Sequence, residues 1–206
     1  MAETARIRSA DPDLVDHRVY LYDVSWEDYE RFLAVRGDNH RPRMTYLDGV
    51  LEIMTTSSHH ERLKTRWARL LEAWSEEMGI DLEGIGSWTI RNELKKKGVE
   101  PDECYFVGDN RPEAEMPDLA LEVVWTSGGL DKLLVYAGLG VREVWMWMDD
   151  EITMHALRGS RYEQIARSEL LPALDPVLIT DLVNSDSSQA EAVRTLRASL
   201  RASRAP

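Results

Sequence analysis

Leu119-Ala120-Leu121-Glu122-Val123-Val124-Trp125 is the densest apolar run in the chain, and a single carboxylate interrupts it. The run reads as a buried strand. An ionised carboxylate placed there costs several kcal/mol unless a partner, hydrogen bonds or a metal compensates. Two readings are open for Glu122: a strand-end residue paired with a nearby arginine, or a group kept for chemistry. Upstream, Glu100-Pro101-Asp102-Glu103-Cys104-Tyr105-Phe106-Val107 predicts a proline-led strand. Downstream, a helix is expected from about Leu130 to Ala137, closed by Gly138 and Gly140. Val141 to Met148 then reads as a central strand, apolar on both faces, with Trp145 and Trp147 in the core.

Further out, Ser57-Ser58 caps a long helix from about His59 to Met78, whose Leu63, Trp67, Leu70, Leu71 and Trp74 share one face and which Gly79 ends. Ser87-Trp88-Thr89-Ile90 predicts a short strand leading into a basic loop, Lys95-Lys96-Lys97. Met44–Leu47 and Val50–Met54 flank Asp48-Gly49, a strong hairpin signal. Ser25-Trp26-Glu27-Asp28 opens a helix through Val35, broken by Arg41-Pro42-Arg43. Ile152–Leu157 and Tyr162–Ile165 read as a second hairpin. The expected organisation is an N-terminal extension over 1–24, one mixed α/β (α+β) domain over 25–186 and an arginine-rich tail over 187–206. That tail reads as a short, solvated helix with Val193, Leu196 and Leu200 on one side.

The chain has 206 residues and a formal charge of −12, enough length for one well-cored domain and a field that argues against a non-specific nucleic-acid coat. One cysteine, Cys104, excludes an intramolecular disulfide framework and a multi-cysteine zinc site. No apolar run is long enough to cross a bilayer and Met1 to Arg6 carries no signal core, so a cytoplasmic protein without membrane contact is expected. P-loop, Rossmann and nucleophile-elbow signatures do not occur.

Asp102 lies on a strand neighbouring that of Glu122, and two acids side by side can share a hard cation such as Mg²⁺. Asp118 is a poorer co-ligand, since four strand residues place it ~13 Å from Glu122. Lys132 stands in the first turn of its helix, where a cation opposes the helix dipole; its ammonium can aim at the Glu122 strand, or pair with Asp131 at the surface. His60 and Glu61 open the long helix, but Lys64 stands where a zincin would need its second histidine. Glu52 is expected to face water, Cys104 to pack in the core, and Lys95 to Lys97 to form an exposed loop tip.

Taken in order, Leu51-Glu52-Ile53-Met54, His60-Glu61, Glu100-Pro101-Asp102, Pro117-Asp118-Leu119-Ala120-Leu121-Glu122-Val123, Asp131-Lys132-Leu133 with Tyr136, and Gly140-Val141-Arg142-Glu143-Val144-Trp145 resemble the Uma2 family of restriction-endonuclease-like proteins over roughly residues 25–180. The resemblance implies the PD-(D/E)XK nuclease core of helix, three strands, helix and strand, here a mixed sheet flanked by helices with the N-terminal helix and hairpin added. That order is matched by the helix 59–78, the strands 87–90, 102–107 and 119–125, the helix 130–137 and the strand 143–148. It implies catalytic Asp102 and Glu122, with Lys132 replacing the lysine that the basic pattern places at Val124. It adds Glu61 with His60 beside it on the first helix, and Mg²⁺ or Mn²⁺ held by Asp102, Glu122 and the backbone carbonyl of Val123. The implied activity is metal-dependent hydrolysis of phosphodiester bonds, with DNA as partner and a homodimer to cut two strands. The alternative is a binding or regulatory protein that keeps the nuclease fold without turnover.

Overall fold

The computed structural model describes residues 15–108, 116–124 and 129–203. The described residues open with β1 (His17–Leu21) and α1 (Trp26–Arg36), whose cap Ser25 accepts the N–H of Asp28 at 3.1 Å. Strands β2 (Arg43–Leu47) and β3 (Val50–Thr55) follow, turning at Asp48 and Gly49, both at positive φ as such a two-residue turn requires. Next comes α2 (Ser58–Met78), capped by Ser57 and closed by Gly79 in the left-handed region. Short strands β4 (Leu82–Gly84), β5 (Ile90–Asn92) and β6 (Lys97–Val99) lead to β7 (Glu103–Val107) and β8 (Leu119–Val123). The chain ends with α3 (Lys132–Leu139), β9 (Glu143–Met148), β10 (Glu151–Arg158), β11 (Arg161–Ile165), α4 (Pro176–Asn184) and α5 (Gln189–Ala202).

Among the described residues the strands form two sheets. One is antiparallel in the order β1-β3-β2-β6-β5; the other runs β11-β10-β9-β8-β7-β4, with β8 and β9 parallel and α3 as their crossover. The second sheet is covered on both faces. Leu121, Val123, Trp145 and Trp147 pack against Trp67, Leu70, Leu71 and Trp74 of α2, with α4 and α5 closing that layer through Leu182 and Leu196. Ala120 and Val144 face the other way, onto Val135, Tyr136 and Leu139 of α3 and onto Ile90 and Val99 of the first sheet. By two-residue alternation Glu122 is on the same side as Ala120, so it faces α3. The core order of helix, three strands, helix and strand is present as α2, β4, β7, β8, α3 and β9, in an α+β fold.

The structure departs from the sequence reading in several elements. The strand beside β7 is Leu82–Gly84, not the stretch at 87–90; Ile90 instead begins β5 in the other sheet. Periodicity over three or four residues cannot assign a strand to a sheet. Lys97 is part of β6, with Nζ 3.2 Å from Asp48, and Lys96 lies 5.6 Å from the centre of the Trp26 ring. Gly138 does not end α3 but lies inside it, where a Cβ would fall 2.1 Å from Lys97 Cδ. β1 and α4 are not among the elements read from the sequence; β1 pairs with β3 over His17 to Leu21, and α4 buries Ile179, Leu182 and Val183. α5 is not solvated all round: Ala192 and Leu196 are buried, and Arg201 Nη2 lies 2.6 Å from Glu77 Oε1 on α2. Among the described residues no helix is long and apolar enough to cross a membrane.

Candidate active site

Glu122 is fully buried, in mid-sheet, and is met by α3 rather than by an arginine. Lys132 Nζ lies 2.6 Å from its Oε2 and the Tyr136 hydroxyl donates to its Oε1 at 2.5 Å. Lys132 and Tyr136 are one helical turn apart and so reach the same carboxylate. Asp131, the cap of α3, accepts the N–H groups of Leu133 and Leu134, which fixes where that turn begins. Burial raises the Glu122 carboxyl above its ordinary value, against the pull of Lys132 and with the push of Asp102. Burial works against the Lys132 ammonium too, but Glu122 and Asp102 outweigh it and keep the lysine charged.

The register that pairs Glu103 with Leu121 places Asp102 opposite Glu122. Asp102 is also fully buried. Its Oδ2 accepts the Val123 N–H at 2.6 Å, while its Oδ1 takes Arg43 Nη1 and, at 2.8 Å, His60 Nε2. Burial alone would raise this carboxyl; Arg43 and His60 overcome it and hold Asp102 far below the usual carboxylate range. His60 in turn places Nδ1 3.1 Å from Asp16, and the two acids push it up to about 9 despite burial. The imidazolium is thus a buried donor to two carboxylates.

Glu61 is brought close but not into this pair. It accepts from the Thr56 hydroxyl at 2.7 Å and lies 3.0 Å from Arg41 and 3.1 Å from Lys64, joining Asp102 only through Arg43, 3.6 Å away. Asp118 stands apart, 3.1 Å from Arg142 and accepting the Val107 N–H at 3.0 Å. Cys104 is buried, with its thiol donating to the Gly86 carbonyl and pushed up to about 12 by burial.

A cavity of about 320 Å³ opens on Glu122, Val123 and Lys132, with Glu52 and Arg18 on its other wall. A groove of about 810 Å³ along Trp26 and Arg91 is larger, but its acids, Glu27, Glu30 and Glu93, are not buried. Glu52 does not face water. It is 2% exposed, because the first sheet is covered on both faces, by α1 on the side of Leu51 and by the α3 approach on the side of Glu52. Sequence reasoning missed Glu52, Arg43 and Asp16 as neighbours of the site. For Tyr136, the spacing of four from Lys132 is the signal that places it there.

The donor set suits a hard divalent cation in kind: two carboxylates opposite each other on neighbouring strands, one of them on a cavity wall. Among the described residues no three His, Cys, Asp or Glu side chains are grouped to hold a metal ion. Any such ion would therefore draw on Asp102, Glu122 and main-chain oxygen, and would compete with Lys132 for Glu122.

Residues 26–188 match the Uma2 family, described as "Putative restriction endonuclease". The chain belongs to the Uma2 family. By that description, nuclease is the activity class of this Uma2 domain. Among solved structures the domain is similar to "a putative nuclease belonging to DUF820" from Anabaena variabilis, with 14% identity and a TM-score of 0.49, over 79% of this chain and 96% of that one. No curated protein matches the sequence.

Proposed function

We propose that this chain is an endonuclease that hydrolyses phosphodiester bonds of DNA with the help of Mg²⁺ or Mn²⁺. The observation that carries the reading is Glu122: a fully buried carboxylate on a cavity wall, held by a lysine at 2.6 Å and opposite a second buried acid. A packed apolar residue would serve stability at least as well at that place. Asp102, Glu122 and the Val123 carbonyl are the groups that would hold the cation. When bound, it supplies a more acidic water and a counter-charge for the phosphoryl oxygens. Lys132, charged and beside Glu122, is placed to orient the attacking water or steady a phosphoryl oxygen as negative charge develops. His60 and Arg43 hold the Asp102 carboxylate still, and Glu61 holds Arg43. A homodimer would bring two such sites to two strands; sedimentation velocity measures that directly.

The second reading, a nuclease fold that binds without cutting, is favoured by one feature. Each oxygen of Asp102 and Glu122 already accepts from a protein donor. A cleavage assay on supercoiled, linear and single-stranded DNA, with Mg²⁺ or Mn²⁺ at low salt, separates the two. The expected result is cutting by the wild type and none by Glu122→Ala purified in parallel. Equal cutting by both proteins overturns the assignment of Glu122, and metal binding without cutting supports the second reading.

A further inference from the structure

Glu52 is on β3, in the sheet that does not carry Glu122, yet its carboxylate lines the same cavity. What meets it there is the main chain that leads into α3. Its Oε2 accepts the Leu130 N–H at 2.9 Å, and Arg18 Nε lies 3.9 Å from its Oε1. Leu130 immediately precedes Asp131, the cap of α3, and Lys132 is the first residue of that helix. The approach is close: Gly129 has φ +144, and a Cβ there would stand 3.3 Å from Glu52 Oε2. One hydrogen bond thus ties residues 78 apart in sequence and joins β3 to the approach to α3, beside the lysine.

We propose that Glu52 is a positioning residue of this site: by accepting the Leu130 N–H it sets where α3 begins, and so holds Lys132 Nζ on Glu122. Lys132, Tyr136 and the packing of Val135 tie the helix to β8, and Asp131 caps it from within. Glu52 supplies the contact that holds the start of the helix from the other sheet. The inference rests on the reading of Lys132 as a working group for its functional meaning, but not for the contact itself.

The test follows the Lys132 ammonium by lysine ¹³Cε and ¹⁵Nζ NMR on the full chain, without metal or nucleic acid. Lys64, Lys95, Lys96 and Lys97 serve as internal references and Lys132→Arg assigns the signal. Glu52→Gln keeps an oxygen acceptor and is expected to keep the Lys132 signal. Glu52→Asp keeps the charge but falls short of Leu130. It is expected to speed Lys132 proton exchange about tenfold or more, the scale of one lost charge-assisted hydrogen bond, while Lys64 is unmoved. Glu52→Leu should match Glu52→Asp; if it does not fold, the Asp and Gln variants decide. An unchanged Lys132 signal in folded Glu52→Asp overturns the proposal, as does its loss in folded Glu52→Gln. Because the readout needs no turnover, an inactive protein with the expected NMR pattern would count against the nuclease reading alone.

Discussion

His60 carries its proton between Asp16 and Asp102 in a fully buried place, and this makes stability depend on pH in a stated direction. Burial lowers an imidazole, but the two carboxylates push His60 up to about 9. The folded chain therefore holds this proton more tightly than the unfolded chain, whose histidine titrates near ~6.5. The contribution is complete below about pH 6.5 and is lost as pH rises through about 9, a change of roughly 3 kcal/mol. Urea midpoints of chelator-treated protein from pH 6 to 9.5 measure it, and His60→Gln should flatten that limb. A wild-type profile already flat, or a slope kept by the variant, contradicts the assignment. At this scale Glu122 is legible in the sequence because an acid in an apolar strand is costly, and Asp102 because it leads a strand near enough in the chain to pair with it. Glu52 is not, because alternation tells which residues share a face and not what covers it.

Among the elements, β6 shows how glycines let α1 and α3 approach the first sheet. At Gly98 a Cβ would stand 2.4 Å from the hydroxyl oxygen and 2.8 Å from Cζ of Tyr29. That ring is fully buried and stacked on Tyr46 with centroids 5.0 Å apart, so it has nowhere to go. Gly98→Ala is therefore expected to destabilise by about 1–3 kcal/mol, the usual cost of overfilling a packed core. At Gly138 the obstacle is the flexible Lys97 side chain, which can swing aside. Gly138→Ala should cost less than Gly98→Ala, since alanine also favours the helix by about 1 kcal/mol. Paired denaturation curves test the order, and its reversal would mean that β6 and not α1 yields. The arginines of α5 teach the same lesson from the opposite side. Their spacing suggests a solvated stripe, but Arg197 and Arg201 reach Glu76 and Glu77 of α2. Helical periodicity shows an amphipathic helix without naming its neighbour.

Over the whole molecule the cavity lies where the two sheets meet, with Glu52 from one, Glu122 from the other and α3 between them. A cation bound there stabilises the entire folded domain, because the unfolded chain has no such site. At about 100 times its dissociation constant it is worth about 2.7 kcal/mol, or roughly 5–10 °C in melting temperature for a chain of this size. Thermal melts with Mg²⁺, Mn²⁺ and chelator should show that shift in the wild type and lose it in Glu122→Ala. The same shift in both proteins, or none at saturating metal, removes metal from the site. By itself the sequence determined the local elements with strong patterns: the buried Leu119–Val123 strand, the long amphipathic α2, the Asp48-Gly49 hairpin, and the two acids about twenty residues apart on neighbouring strands. These are set by short-range periodicity and by the cost of burying charge. Only the tertiary structure decided that β4 and not residues 87–90 completes the core sheet, that Arg43 and His60 hold Asp102, and that Glu52 grips the start of α3. Those are contacts between residues far apart in the chain, settled by which faces pack together once the two sheets close on each other.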